Sequence, residues 1–158
     1  MPKTQVQNPV NHVIQKFTLL TAAQVMELSL IHHSAMNLIV NGKGSRQEWE
    51  QVTNALNLAQ TLDDLVFQRA YEKIIFYGLQ AQARTGLRLH RTHRLGFSGR
   101  DLTDVNLALE VHDQQLAQAT IGDINEAREA VWTSLYYKKN SVGVEQLAAG
   151  KYEHFLRK

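Results

Sequence analysis

Arginine side chains are concentrated in one stretch of the chain, residues 83–102 (ARTGLRLHRTHRLGFSGRDL), which holds five of the nine arginines and one acid. A guanidinium bonds a carboxylate or a phosphate through two parallel N–H groups, so such a stretch suits an acidic protein surface or a nucleic acid. If a helix runs to Arg91, its basic face from Arg84 to Arg91 spans about 10 Å. The candidate partner-binding residues are Arg84, Arg88, Arg91, His93, Arg94 and Arg100.

Charge is distributed in two opposite blocks that the formal net charge of +2 conceals. Residues 73–100 carry six lysines or arginines and no acid, whereas residues 101–129 carry seven acids and one arginine. One interpretation is that two neighbouring helices simply face each other, in surface pairs worth about 0–1 kcal/mol each. The other is that the basic face contacts a partner. A single-strand binder would stack bases on aromatic rings, and only Tyr77 and Phe97 lie close by, so the sequence favours an acidic protein and leaves nucleic acid open.

The same stretch contains two histidines at a spacing that metal sites use. His90 and His93 lie one helical turn apart. Arg88, Arg91 and Arg94 flank them and repel a cation, and no nearby carboxylate completes the three or four ligands that such a site requires. We therefore predict no metal site.

The sequence contains no recognisable catalytic grouping. It has no cysteine, no phosphate-binding glycine loop and no G-x-S-x-G motif. Glu110 and Asp113 lie one turn apart beside His112, but a di-iron bundle needs Glu-x-x-His pairs, which this chain lacks. We predict no enzymatic activity, no catalytic residue and no cofactor. His32 and His112 fall on apolar helix faces and are expected to be hydrogen-bonded core residues.

The elements that position these residues are predicted to be helices. Both prolines, Pro2 and Pro9, lie in the first ten residues, and no segment alternates between apolar and polar residues as a half-buried strand would. The pattern predicts an all-α helical bundle with two or three long, mostly antiparallel helices and short connections.

Two helix starts carry a strong local signal. Thr21 with Gln24, and Ser45 with Glu48, have the spacing of a capping box, in which two side chains and two backbone N–H groups satisfy one another. We expect a helix to begin at each site.

Two later boundaries are predicted from weaker signals. Thr61 with Asp64 suggests that a short helix breaks there and a longer one begins. After the turn at residues 92–99, the pattern predicts one long helix, bent near Gly122.

The chain is expected to divide into three parts. These are a flexible N-terminal arm (1–17), a helical bundle domain (18–137) and a C-terminal tail that could form a short helix (138–158). No apolar run approaches the ~18 residues that span a membrane, and the start lacks the apolar core of a signal peptide. We therefore expect a cytoplasmic protein with no membrane partner.

Four quoted segments together resemble a set of small helical proteins from phages, prophages and mobile elements of proteobacteria. They are TLLTAAQV, GKGSRQEWEQVTNALNLAQTL, GFSGRDL and HDQQLAQAT, and the resemblance covers residues 18–130. The chain departs from the pattern at RTHRLG, where His93 replaces an expected glycine. The resemblance carries no catalytic residues.

The function that this resemblance implies is binding rather than catalysis. We expect a non-enzymatic protein that binds and modulates or inhibits a macromolecular complex of a bacterial host, for instance a nucleic-acid-handling or defence complex such as CRISPR-Cas. One alternative is a DNA- or RNA-binding module that uses the arginine-rich helix end directly. A second alternative is a structural homodimer, in which the basic helix of one copy meets the acidic helix of the other.

Overall fold

The computed structural model describes residues 9–137, except for the side chains of residues 9, 11, 12 and 135–137. Within this range it contains six α-helices and no strand. They are α1 (Pro9–Phe17), α2 (Ala22–Val40), α3 (Arg46–Leu65), α4 (Glu72–Thr92), α5 (Gly99–Gln118) and α6 (Ile121–Tyr137). The predicted all-α bundle is confirmed, with more long helices than the two or three expected. None of these helices is both long enough and apolar enough to cross a membrane.

Both predicted capping boxes are confirmed. The Thr21 hydroxyl accepts the backbone N–H of Gln24 at 3.2 Å, and the Gln24 side chain accepts that of Thr21 at 2.9 Å. At the start of α3, the Glu48 carboxylate accepts the Ser45 N–H at 2.6 Å. Hydrogen bonds from the Ser45 side chain and backbone lower the pKa of Glu48. Caps of this kind contribute about 1 kcal/mol each, so they fix where α2 and α3 begin.

The core lies where α2 to α5 meet, and α3 forms its centre. Val52 and Leu56 of α3 pack with Leu109 of α5, and all three are fully buried. Helices α4 and α5 approach closely at Gly78 of α4, where an added Cβ would lie 2.4 Å from the side chain of Ala108 in α5. This close approach holds α4 against α5, the pair with the most extensive helix contact.

The predicted break near Thr61 is wrong. Helix α3 continues to Leu65, since the Thr61 hydroxyl bonds back to the Asn57 carbonyl at 3.0 Å within the helix. The chain turns afterwards, at residues 66–71, where Gln68 and Arg69 adopt positive φ angles of 52° and 62°.

Asp63 explains why the turn falls there. This buried carboxylate accepts the backbone N–H of Tyr71 with both oxygens at 3.2 Å, and so ties the residue that precedes α4 to the end of α3. Burial raises the pKa of Asp63 and outweighs the effect of that hydrogen bond.

The single long helix predicted after residue 99 is also wrong. Helix α5 ends at Gln118, Ala119 is extended, and α6 begins at Ile121. Thr120 and Asp123 cap the new helix reciprocally, at 3.1 and 3.0 Å. The bend therefore comes from a complete helix end and a new start, and not from Gly122.

The segment predicted as an N-terminal arm is helical in its second half. Helix α1 packs against α6, and the Thr18 carbonyl accepts the N–H of Ile121 at 2.8 Å. Gly122 allows the approach, because an added Cβ would lie 3.0 Å from the Lys16 Cα atom. The predicted C-terminal tail (138–158) and residues 1–8 lie outside the described residues.

Candidate functional site

Two of the predicted partner-binding arginines are engaged inside the bundle. Arg84 donates to one oxygen of Asp101 at 3.1 and 2.8 Å, and Arg88 donates to the other at 3.2 Å. Asp101 lies in the first turn of α5 and is only 4% exposed. For Arg84 and Arg88 the interpretation of two facing charged helices is therefore confirmed.

These two arginines also shape the connection between α4 and α5. Arg88 donates a further bond to the Gly96 carbonyl at 3.1 Å, and the Ser98 hydroxyl accepts the N–H of Asp101 at 3.3 Å. The loop is thus tied to both helices. Arg84 and Arg88 thus position the basic end of α4, and their side chains remain 35% and 43% exposed.

The other predicted partner-binding residues are exposed and form no ion pair with Asp101. Arg91, His93 and Arg94 form no side-chain hydrogen bond or ion pair with any other residue in the range 9–137. Arg100 is 85% exposed, with Asp104 as a distant ion-pair partner at 4.0 Å. We refer to Arg91, His93, Arg94 and Arg100 as the free basic end.

His93 is the residue at which α4 terminates. Its φ angle is +56°, in the left-handed region, and its N–H bonds to the Leu89 carbonyl at 2.9 Å. Glycine is the usual residue in this conformation, because a Cβ costs about 1–2 kcal/mol there. His93 therefore carries a Cβ in a backbone conformation that glycine adopts without this cost.

A groove of about 610 Å³ borders the free basic end. Trp49 forms its floor, held by a hydrogen bond from its indole N–H to the Gln82 carbonyl at 2.9 Å. Gly86 makes room for that ring, since an added Cβ would lie 2.5 Å from Trp49 Cζ2. The groove is lined by Arg46, Trp49, Gly86, Leu87, Leu89, His90 and His93. It can receive an apolar side chain beside Arg46 and the two imidazole rings.

His90 and His93 do not gather further ligands. In the described part of the chain, the one group of three histidine or acidic side chains close enough to hold a metal ion lies elsewhere. It consists of His32 and His33 of α2 and Asp113 of α5.

This second cluster, the His–Asp cluster, is built around one carboxylate. The His32 Nε2 atom lies 2.9 Å from Asp113 Oδ1, and the His33 Nε2 atom lies 2.6 Å from Oδ2. The Ser29 hydroxyl donates to Oδ1 at 2.8 Å. Ser29, His32 and His33 share one face of α2 because they are three and four residues apart. The adjacent histidines are the sequence signal for this cluster, but the sequence does not indicate that Asp113 lies beside them.

Burial and hydrogen bonding set the protonation of this region. Burial alone would raise the pKa of Asp113, but hydrogen bonds from His32, His33 and Ser29 outweigh it and hold the pKa well below its usual value. The neighbouring His112 is 2% exposed, and burial followed by the proximity of His32 lowers its pKa to about 4. The prediction that His32 and His112 are buried is confirmed. His112 is therefore neutral at pH 7.

The cluster does not form a serine nucleophile with its base. Nucleophilic catalysis requires the hydroxyl to bond the histidine that removes its proton. Here the Ser29 hydroxyl donates to Asp113, and both imidazoles also face that carboxylate. The arrangement offers instead three ligand atoms of the kinds that divalent transition metals prefer.

A second groove, of about 350 Å³, lies between α2, α3, α5 and α6. Its walls are mostly apolar, with Ile31, Leu58 and Leu116 among them. His32 also contributes to the wall, and Trp132 at the edge is 69% exposed. The His–Asp cluster is therefore partly continuous with an apolar surface.

Comparison with protein-family models, with curated proteins and with solved structures finds no match to this chain. The resemblance to phage and mobile-element proteins therefore rests on the quoted segments alone.

Proposed function

We propose that this chain is a non-enzymatic helical binding protein of a phage or mobile element. It acts in the cytoplasm of a bacterial host and modulates or inhibits a macromolecular complex, with a nucleic-acid-handling or defence complex such as CRISPR-Cas as the most concrete candidate. The free basic end docks on an acidic protein surface. The observation that carries the proposal is that the side chains of Arg91 and Arg94 are exposed and form no hydrogen bond or ion pair within residues 9–137.

The rigidity of the basic end supports this role. Asp101 fixes Arg84 and Arg88, and Arg88 also holds the loop through Gly96. A partner therefore meets a surface whose backbone is already ordered, and binding loses less conformational entropy. Arginine is also one of the residue types that contribute most at protein interfaces, about 2 kcal/mol or more when desolvated at their centre.

The groove beside the cations favours a protein partner over nucleic acid. Protein interfaces combine an apolar or aromatic centre with arginine, whereas phosphate binding rests mainly on positive charge. Trp49, Leu87 and Leu89 supply an apolar surface in the groove that His93 of the free basic end also lines. A partner segment with an aliphatic or aromatic side chain flanked by acids would match both features.

The experiment is affinity capture from nuclease-treated host lysate, followed by reconstitution with the purified partner. The variant is Arg91→Glu with Arg94→Glu. The matched control is Lys43→Glu with Lys73→Glu, which changes the net charge equally at two exposed positions outside the free basic end. We expect the control to bind like the original chain and the arginine variant to lose the partner.

The two alternatives give different results in the same samples. A DNA- or RNA-binding module would bind labelled duplex or single-stranded oligonucleotides directly, with log affinity falling steeply and linearly with log salt. A structural homodimer would sediment as a dimer, and the arginine variant would become monomeric. Either result, without a protein partner that depends on Arg91 and Arg94, would overturn the proposal.

A further inference from the structure

We propose that His32, His33 and Asp113 form a binding site for a divalent transition-metal ion of the zinc class, joining α2 to α5. The inference is independent of the free basic end, which lies at the junction of α4 and α5. It rests on the positions, exposure and surroundings of these three side chains.

The ligand types suit such an ion. Imidazole nitrogen and carboxylate oxygen are the ligands of many zinc, nickel, cobalt and iron sites, whereas magnesium and calcium prefer oxygen alone. Two imidazoles and one carboxylate supply three protein ligands and leave room for water or a further ligand.

The distances are close to those of a coordination sphere. With metal–ligand bonds of about 2.0–2.2 Å, adjacent ligand atoms lie about 2.8–3.1 Å apart around an octahedral ion and about 3.3–3.6 Å apart around a tetrahedral one. The observed nitrogen–oxygen separations are 2.9 Å for His32 and 2.6 Å for His33, and all three donor atoms lie within 4.8 Å of one another. Small rotations of the exposed His33 ring and of the carboxylate would open the cluster enough for an ion.

One side of the cluster is buried and held in place, and the other side is open to solvent. His32 is 3% exposed and held in the core of the bundle, and the Ser29 hydroxyl orients Asp113. The His33 and Asp113 side chains are 43% and 30% exposed, so an ion can enter from solvent. Rigid ligands with supporting hydrogen bonds are what a metal site requires of its surroundings.

The surroundings differ from those of the other histidine pair. Within residues 9–137, no lysine or arginine bonds to Asp113, whose ion-pair partners are the two histidines. His90 and His93, by contrast, lie among arginines and have no carboxylate with them. The two pairs therefore form a matched comparison within one chain.

Metal binding would replace the hydrogen bonds that now join the imidazoles to the carboxylate. A neutral histidine carries one N–H, on either ring nitrogen. On binding, Nε2 of each ring donates its lone pair to the ion, the ring proton resides on Nδ1, and Asp113 binds as the carboxylate. The ion would thus occupy the space between the two rings and the carboxylate.

The test is isothermal titration calorimetry of the full chain, prepared without a histidine tag and treated with chelator, using zinc chloride. We expect saturable one-to-one binding, and no binding of magnesium chloride. His33→Ala should weaken zinc binding more than about tenfold. Loss of a residue that only supports a ligand already lowers metal affinity about tenfold or more, and loss of a ligand should lower it at least as much. His33 is exposed, so the variant should keep its fold, which circular dichroism checks.

The control is His90→Ala with His93→Ala, which should bind zinc like the original chain. Cobalt provides a second readout, because its visible absorption reports coordination geometry and should change in His33→Ala but not in the control. The proposal is overturned if the original chain shows no saturable zinc binding. It is equally overturned if His33→Ala, correctly folded, binds as before, or if the control loses the binding.

Discussion

The buried carboxylate of Asp101 should make the stability of the bundle depend on Arg84. Replacing Arg84 with leucine removes both hydrogen bonds to Oδ1, at 3.1 and 2.8 Å, and leaves the Arg88 contact at 3.2 Å. The Asp101 side chain is 6% exposed, so little water can compensate the lost bonds. The change therefore leaves a carboxylate that is only partly satisfied.

The expected cost is moderate rather than extreme. Leaving a buried acceptor without its charged donor costs about 1–3 kcal/mol or more. Because Arg84 is itself 35% exposed, solvent already weakens the pair, and we place the loss of unfolding free energy at about 2 kcal/mol. For a chain of this size, the midpoint of thermal unfolding should fall by about 4–8 °C.

A double-mutant cycle with Asp101→Asn, measured by urea unfolding, isolates the interaction. In the Asn background Arg84→Leu should cost clearly less, because no buried charge is left unpaired, and a coupling energy of about 1 kcal/mol or more should result. Lys73→Leu is the control on the same helix and should change stability by no more than about 0.5 kcal/mol. Additive effects, within about 0.5 kcal/mol, would show that the reasoning about Asp101 is wrong.

Three further predictions concern single positions. His112 is neutral in the fold, with a pKa of about 4 against about 6.5 when unfolded, so stability should fall by up to about 3 kcal/mol as pH drops from 6.5 to 4. Urea unfolding at pH 7 and 4.5 should show a smaller difference for His112→Gln, and an unchanged difference would contradict the assignment. His93→Gly should raise stability by about 1 kcal/mol in thermal unfolding by relieving the left-handed conformation, and no gain would mean that the imidazole is otherwise stabilised. Gly86→Ala places a Cβ against Trp49 and should cost about 1–3 kcal/mol, with altered tryptophan fluorescence, whereas an unperturbed spectrum would contradict the close packing.

The parts of the fold that sequence predicted correctly are those determined within a few residues. Thr21 with Gln24, and Ser45 with Glu48, satisfy one another across three positions, so no tertiary contact is needed to identify them. The turn after α3 depends instead on Asp63 reaching the N–H of Tyr71, a contact that forms only once both helices are in place. The prediction of a break at Thr61 relied on the local Thr61–Asp64 spacing, whereas the position of the turn depends on the contact between Asp63 and Tyr71.

The boundary between α5 and α6 has a local sequence signal. Thr120 and Asp123 have the same three-residue spacing as the other caps, and the structure uses them as a cap. Gly122, which drew attention as a bend, serves the approach of α1 instead.

In the candidate sites, too, the sequence indicated local features but not the contacts between helices. One of the two interpretations of the opposite charge blocks, that two charged helices face each other, is confirmed for α4 and α5. The charge blocks could not show that Asp101 would bind Arg84 and Arg88 and leave Arg91 and Arg94 exposed. The His–Asp cluster joins residues about 80 positions apart. The packing of α2 on α5 brings them together. The sequence could therefore indicate the adjacent histidines but not the carboxylate that they contact.

The most direct test of the proposed binding role is the dissociation constant of the purified host partner. It is measured in nuclease-treated samples for the original chain, for Arg91→Glu with Arg94→Glu, and for Lys43→Glu with Lys73→Glu. Two desolvated arginines at about 2 kcal/mol each predict a loss of affinity of more than about 100-fold for the first variant, and little change for the second. Equal affinities for the two variants would contradict the claim that the free basic end is the binding surface.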